Sequence, residues 1–485
     1  MQNRWIILGA ATAVMMTIGC LYSWAIFTQP LLVAFHWDLR TTTWAYAIAN
    51  FSLAAVGAVI GGFWQDHAGP RKVAMVGIAL WGTGNVLAGL GTPTLGALWL
   101  YVTYGMIGGI GAGMAYITPV AMVAKWFPDK KGLTCGLVAG GFGLGAFVYN
   151  QLVPRFAGFH AAAVHAGAVI AAKAAAASAA GVPGGAAGVP GAAHAAHILA
   201  GFAPGQMFTA ADVDAVMHVF VLSGSAFLII GLAAASLFRN PPLRLRGSDC
   251  GSAASGTANA VSQEGFSPAQ VVATPQFYLL WLQLFVNVIG GITIISNAVF
   301  ILNDLTHMSA AVIAPLFGVV SIFNALGRGF WGAISDRIGC NKTFAAMFAI
   351  QAATLFLMNG VHELTPALIA TSVMLLCCGG GFGTMPSFNA GYFGTKYMGL
   401  NYALILTAWG FAGLIGPILV ARAKDMTGSF AGMLPLIAML LLGSVILPFL
   451  TRQPARPAPQ RPKARDFPSS AFDVLDTVPA TGDFR

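Results

Sequence analysis

Two stretches of this chain echo one another across some 270 residues. The first is Gly62-Phe63-Trp64-Gln65-Asp66-His67-Ala68-Gly69-Pro70-Arg71-Lys72, and the second is Gly332-Ala333-Ile334-Ser335-Asp336-Arg337-Ile338-Gly339-Cys340-Asn341-Lys342. Both read G-x-x-x-D-x-x-G followed by basic residues, and both close a long apolar run. A plain loop carrying positive charge needs neither the glycine spacing nor the aspartate. Gly62 and Gly332 let a neighbouring helix come close, and Gly69 and Gly339 permit a tight turn. Asp66 and Asp336 stand at a helix end, where a carboxylate can meet basic residues such as Arg71 and Arg337 or the N-terminus of another helix. These eight residues form two candidate latches, made in one state and broken in another. Their duplication predicts a chain built of two similar halves.

Outward from these stretches, apolar runs of about twenty residues recur along the chain, each able to cross a hydrocarbon core of about 30 Å. The spans fall near 5–28, 43–64, 73–91, 97–124, 133–154 and 217–238, then near 276–302, 311–335, 342–361, 366–388, 400–421 and 430–450. Of the 485 residues 57% are hydrophobic and only 8% charged. A soluble domain carries roughly a quarter charged residues. The 60 glycines fit helices that pack closely in a membrane. The fold class is therefore an all-α membrane protein of twelve transmembrane helices in two pseudo-symmetric six-helix halves, a known plan for transporters.

The formal charge of +9 is topological. With the N-terminus inside, the cytoplasmic segments hold Arg4, Arg71, Lys72, Lys125, Lys130, Lys131, Arg239, Arg244, Arg246, Arg337, Lys342, Lys396 and the tail from Arg452. The other side holds Arg40, Arg155, Lys173, Arg422 and Lys424. This is the positive-inside pattern. It predicts a multi-pass protein of the inner (plasma) membrane with both termini cytoplasmic, and no nucleic-acid partner. The first apolar run, after Arg4, exceeds the 7–15 residues of a signal peptide and reads as an uncleaved first helix. The six cysteines show no metal-ligand spacing.

The expected organisation is residues 1–156 for helices one to five, 157–210 for an external Ala/Gly/His/Pro-rich insertion, and 211–239 for helix six. A cytoplasmic linker follows at 240–270, then helices seven to twelve at 271–451, then a disordered cytoplasmic tail at 452–485. Alanine favours helix, so the insertion's first part, to about residue 180, is expected to extend helix five. Its His160, His165, His194 and His197 are loosely spaced, with no acidic or Cys partner near in sequence, which argues low complexity rather than a metal site. No metal or cofactor is expected.

Two further strings narrow the reading. Lys125-Trp126-Phe127-Pro128-Asp129-Lys130-Lys131-Gly132-Leu133 leads into a glycine-rich helix. In the second half, Tyr392-Phe393-Gly394-Thr395-Lys396-Tyr397-Met398-Gly399 precedes a helix containing Thr407-Ala408-Trp409-Gly410. With the duplicated G-x-x-x-D-x-x-G stretch, the chain resembles the major facilitator superfamily over nearly its whole length. Within that superfamily it resembles the oxalate/formate antiporter family, which includes carriers similar to lactate and pyruvate transporters. The resemblance implies a monomer, and it implies that Asp66 and Asp336 are gating aspartates. The first copy departs from the pattern at His67 and Pro70.

The chemistry converges on Arg328, in Asn324-Ala325-Leu326-Gly327-Arg328-Gly329-Phe330-Trp331, the residue inside the spans that must be charged. It lies eight residues before Asp336, about 12 Å deep at 1.5 Å per residue. An arginine there costs at least about 2.5–3.5 kcal/mol on insertion scales. No Asp or Glu lies inside the spans to neutralise it. Two readings stand: a structural cation bonded to helix carbonyls, or a ligand for a substrate carboxylate, which a guanidinium fork suits. The repeat favours the second, because aligning Asp336 with Asp66 sets Arg328 opposite Ala58 and Asn324 opposite Ala54. Asn324, one turn before, is placed to orient the arginine or touch the substrate. Tyr22 and Trp24 in helix one, Tyr116 in helix four and Trp409 in helix eleven are candidate walls or packing residues. Tyr22, Tyr116 and Trp409 rank first because those helices line the cavity in the resembling fold.

The resemblance also bears on substrate choice. Oxalate-exchanging members carry a lysine where this chain has Trp409, and animal monocarboxylate carriers carry an acid where it has Asn324. One arginine balances one carboxylate, whereas a dianion leaves a buried charge unpaired. The expected function is secondary active transport of a monocarboxylate such as lactate, pyruvate or formate. Oxalate/formate-type exchange and a transporter-like carboxylate sensor are the alternatives. A proton is a candidate co-substrate, carried with the carboxylate. There is no phosphate-cradling motif for ATP-driven work and no residue constellation of an enzyme.

Overall fold

The computed structural model describes residues 3–179, 208–241, 265–308, 310–427 and 434–454. The distal insertion with His194 and His197, most of the expected linker and nearly all of the tail lie outside the described residues.

The regular structure of the described residues is all helical and forms twelve apolar crossings. Spans 1 and 2 are Arg4–Ser23 and Arg40–Ala68. The next stretch, Pro70–Trp126, runs 57 residues. As one straight helix it would reach about 85 Å, far beyond a bilayer. It holds spans 3 and 4, because at Gly96 the backbone takes φ 71° and ψ −159° and the chain turns back. Beyond the turn, Trp99 Nε1 donates to the Leu87 carbonyl at 2.7 Å. Spans 5 and 6 are Lys131–Leu152 and Ala210–Ser236. Span 7 is Pro275–Thr306 and span 8 combines Ala310–Val320 with Ile322–Ile338. Spans 9, 10 and 11 are Cys340–Met358, Leu364–Phe393 and Met398–Thr427, and span 12 is Leu434–Leu450.

Local chemistry sets several of these ends. Asp38 and Thr274 accept from backbone N–H groups of the first turns that follow them, and Pro275 sits where a missing N–H costs nothing. Apolar side chains such as Leu98, Ile229 and Leu357, each more than two-thirds exposed, cover the outside. In water such a surface would aggregate, and against lipid it is the solvated face.

Packing shows the pseudo-symmetry. Span 1 packs on span 5, span 2 on span 4 and span 3 on span 6, while 7 packs on 11, 8 on 10 and 9 on 12. Adding six to each pair of the first half gives the pairs of the second. Between the halves the main contacts are span 2 with span 11 and span 5 with span 8, which the same operation exchanges.

Helical regularity breaks near the centre. Span 1 tightens into a 3-10 turn at Cys20–Ser23, and Ser52–Gly57 in span 2 and Tyr101–Gly108 in span 4 wind as π-helix. Such turns re-aim side chains and often occur at functional positions.

Span 6 begins earlier than the expected start near 217, which brings Asp212 and Asp214 into the helix. The cause is local: Thr209 and Asp212 form a reciprocal capping box. The insertion begins with a helix, Ala157–Ala179, set off from span 5 by a 3-10 turn at Val153–Arg155. It packs on the upper segment of span 1, Ala25–Ala34, and on span 6. Phe159 lies 5.5 Å from Phe27, and Ala166 and Val169 cluster with Val33. His165 has an acidic partner that the sequence did not reveal, since its Nδ1 lies 3.0 Å from Asp212. That partner stands in the next helix, so spacing along the chain could not show it.

Candidate functional site

The two G-x-x-x-D-x-x-G stretches take the same geometry. Asp336 accepts from the Gly132 and Leu133 N–H groups, both at 2.8 Å, at the start of span 5. Asp66 accepts from the Gly399 and Leu400 N–H groups at 3.1 and 2.9 Å, at the start of span 11. Each carboxylate thus caps the N-terminus of a helix from the opposite half, where unsatisfied N–H groups and the helix dipole attract negative charge.

The first glycine of each stretch enables the approach. A Cβ on Gly62 would lie 2.5 Å from the Gly399 carbonyl oxygen, and one on Gly332 would lie 2.2 Å from that of Gly132. The last glycine makes the turn, with φ +86° at Gly69 and +85° at Gly339. Arg71 and Arg337 are exposed, and neither forms an ion pair with Asp66 or Asp336. The basic residue beside Asp66 is Lys125, 3.8 Å away. The Lys125–Leu133 stretch is itself braced: Trp126 Nε1 donates to the Arg239 carbonyl at 2.8 Å, and Asp129 pairs with Arg4 at 3.5 Å. These contacts fix the helix start that Asp336 caps.

Deeper in the bundle, Arg328 is fully buried between the halves. Its Nη1 donates to the Ala139 carbonyl of span 5 at 2.9 Å, and its Nη2 to Asn324 Oδ1 at 3.3 Å. Its Nε has no protein partner. The guanidinium lies over two rings, 4.8 Å from the centroid of Phe382 and 5.4 Å from that of Phe142. Both elements foreseen for an arginine are present: a helix carbonyl takes one N–H, while the charge itself meets no carboxylate among the described residues. Neutral ring faces and one carbonyl offset part of the burial cost of a cation.

An aromatic cage closes around it. Trp409 lies 5.2 Å from Phe382, 5.7 Å from Tyr116, 5.8 Å from Tyr22 and 5.8 Å from Phe142. Tyr22 stands on the 3-10 turn of span 1 with its ring 4.8 Å from Phe142. The structure therefore brings Arg328, Asn324, Tyr22, Tyr116 and Trp409 together. Trp24 is placed elsewhere, packed inside the first half against Tyr104 and Phe27. Sequence reasoning missed Phe142 and Phe382. Both are single phenylalanines among 33, with nothing local to mark them.

Twelve membrane crossings in two six-helix halves, joined by mirrored helix-end contacts around a central cationic site, define a multi-pass transporter rather than an enzyme. The sequence matches the family description "Major Facilitator Superfamily" over residues 6–417 and again over 280–481, and the chain belongs to that superfamily of secondary transporters. It is similar to the oxalate:formate antiporter of Oxalobacter formigenes, 26% identical over 85% of this chain and 83% of that protein. It is also similar to apicoplast pyruvate carrier 1 of Toxoplasma gondii, 25% identical over 86% of this chain and 76% of that one. Among solved structures, the fucose:proton symporter FucP of E. coli shares the fold at a TM-score of 0.65 and 14% identity, covering 93% of this chain and 100% of its own.

Proposed function

We propose that the protein carries a small monocarboxylate, such as lactate, pyruvate or formate, by alternating access, with Arg328 binding the carboxylate. The observation that carries this reading is a fully buried guanidinium with an unpartnered Nε and no acid beside it among the described residues. A substrate carboxylate supplies the missing charge and accepts from the guanidinium fork. Asn324 holds the arginine through its Oδ1, and Tyr22, Tyr116 and Trp409 wall the site. The similarity to carriers whose names specify oxalate, formate and pyruvate supports a carboxylate.

Trp409 favours a monoanion. It presents an uncharged ring to the cage, so a second carboxylate would enter a low-dielectric site without a cation. The Asp66 and Asp336 caps act as latches at the basic end of the bundle, which by its charge faces the cytoplasm. With both caps made, Arg328 is sealed, and opening that end requires each carboxylate to leave its helix N-terminus. Substrate charge neutralised by Arg328 lets the loaded carrier change state without an unpaired cation in its core.

The test is uptake of labelled lactate, formate and oxalate into proteoliposomes. Arg328→Gln should abolish uptake while the protein remains inserted and monodisperse. Wild-type uptake by that variant, or preference of the native protein for oxalate, overturns the respective step. Substrate binding without net flux would identify a sensor instead.

A further inference from the structure

We infer that the second half binds an ordered water between spans 7 and 9, held by Gln351 and Asn287, where the first half joins the equivalent helices directly. The register that sets Asp336 on Asp66 also sets Gln351 on Trp81 and Asn287 on Thr17. In the first half Trp81 is fully buried, and its Nε1 donates to the Thr17 carbonyl at 3.0 Å, fastening span 3 to span 1. An indole has one donor and no acceptor, so that single carbonyl satisfies it. In the second half a much smaller amide takes its place.

Gln351 is also fully buried, and neither its Oε1 nor its Nε2 has a partner within the protein. Several buried side chains carry one unbonded polar atom, but among the described residues Gln351 alone carries two. Asn287, equally buried, donates through its Nδ2 to the Cys377 carbonyl of span 10 at 3.4 Å, which leaves its Oδ1 unbonded. Glycines bring these groups together. A Cβ on Gly290, one turn beyond Asn287, would lie 3.3 Å from Gln351 Oε1, so the amide of span 9 reaches span 7. Asn287 Oδ1 lies against Gly381 of span 10, and the adjacent Gly380 faces the sulfur of Met347, one turn before Gln351.

Two acceptors and one donor thus meet where three helices pack. A buried amide with neither end bonded bears the full cost of its desolvation. Water removes that cost at both ends, because it accepts from Gln351 Nε2 and donates to the amide oxygens, making about the three bonds usual for a buried water. A cation would suit the oxygens but would meet the Nε2 donor with like polarity. Water thereby does in the second half what the indole does in the first: it links two helices that do not otherwise bond at this position.

Hydroxyl radicals generated by an X-ray pulse arise from bound water as well as from bulk, and mass spectrometry then locates the oxidised side chains. In the purified full-length protein Met347 should be oxidised at least about tenfold faster than Met122, which is equally buried in span 4. Gln351→Leu should bring Met347 down to the rate of Met122. Asn287→Leu should do the same, and it carries the test if Gln351→Leu does not fold. Thermal unfolding closes the cycle: each single variant should lower Tm, and the double variant should lower it by less than the sum, because both side chains act through one water. Native Met347 oxidised no faster than Met122 overturns the inference, as does labelling that survives Gln351→Leu or full additivity in the cycle. A rise in Tm in sodium over choline chloride that Gln351→Leu removes would assign the site to a cation and overturn the water.

Discussion

Spans 2 and 8 occupy equivalent places in the two halves and end in the same geometry, each with an aspartate capping a helix from the other half. Eight residues before those aspartates they differ completely. Span 2 has Ala58, fully buried at the end of a π-helical turn, where span 8 has Arg328 inside a ring of aromatic side chains. The end where each aspartate caps a helix of the other half keeps one sequence pattern. The depth of Arg328 does not, and the proposed carriage of one small anion by one cation accounts for that difference. On the proposed function, residues that serve the shared motion are thereby distinct from those that serve the cargo.

The largest expected effect comes from crossing that line. Arg328→Gln should lower carboxylate uptake by at least about a hundredfold, the cost of removing the partner of a buried charge. Folding should persist, since the amide adds no uncompensated charge. The reciprocal change, Ala58→Arg, should abolish folding rather than create a second site. Ala58 faces span 4 at close quarters: a Cβ on Gly113 would lie 2.6 Å from its backbone nitrogen. Uptake together with detergent size-exclusion of both variants checks the pair. A folded, transporting Ala58→Arg protein would break the comparison.

Beneath the difference lies a common frame, and a pair of glycines tests it. Gly113 of span 4 faces the turn of span 2 before Ala58, with a Cβ falling 2.1 Å from the Leu53 carbonyl oxygen. Gly383 of span 10 faces span 8 in the same way, with a Cβ falling 2.0 Å from the Arg328 carbonyl oxygen. Gly113→Ala and Gly383→Ala should each cost about 1–3 kcal/mol by forcing packed backbones apart. Thermal unfolding should show similar losses for the two. A loss confined to Gly383→Ala would mean that the arginine, and not the frame, demands the close approach.

The latches should respond in the same direction and by unequal amounts. Asp66 is nearly inaccessible, its side chain 2% exposed, whereas Asp336 is open to solvent. Replacing either by asparagine keeps one acceptor and turns an amide N–H towards a backbone N–H. For Asp66→Asn the expected loss of closed-state stability is about 1–2 kcal/mol, and for Asp336→Asn about 0.3–1 kcal/mol, the range for an exposed charge at a helix N-terminus. Spin-label distances across the basic end should shift towards the open population more for Asp66→Asn. The reverse order would show that burial does not set latch strength.

Much of this arrangement was legible in the sequence. The crossings are written in apolar runs, the two halves in a repeated glycine and aspartate spacing, and the buried cation in one arginine that no other residue explains. Asn324 and Arg328 share a helix face because they are four residues apart, which spacing alone can show. Contacts made across the bundle are a different matter. Phe142, Phe382 and Ala139 reach Arg328 only because spans 5 and 10 pack beside span 8, and no local pattern records that. The same holds for Asp212, which meets His165 from another helix, and for the exposed Arg71 and Arg337, whose place beside the aspartates was taken by backbone N–H groups.

Lys125 gives the finest division between the latches, because the span 8 aspartate has no counterpart to it among the described ion pairs. Its ammonium stands 3.8 Å from Asp66, at the outer limit of an ion pair, and its side chain is 17% exposed. The carboxylate beside it already accepts from two backbone N–H groups. Lysine adds a point charge to a satisfied acceptor, so Lys125→Ala should weaken the span 2 latch by only a few tenths of a kcal/mol, up to about 1 kcal/mol. Because part of that attraction crosses solvent, the effect should shrink as salt rises towards about 1 M, where the screening length falls to about 3 Å. The spin-label pair that reports Asp66→Asn can read it. A shift as large as that of Asp66→Asn would assign the latch to charge pairing, and a shift near zero at every ionic strength would assign it wholly to the helix N-terminus.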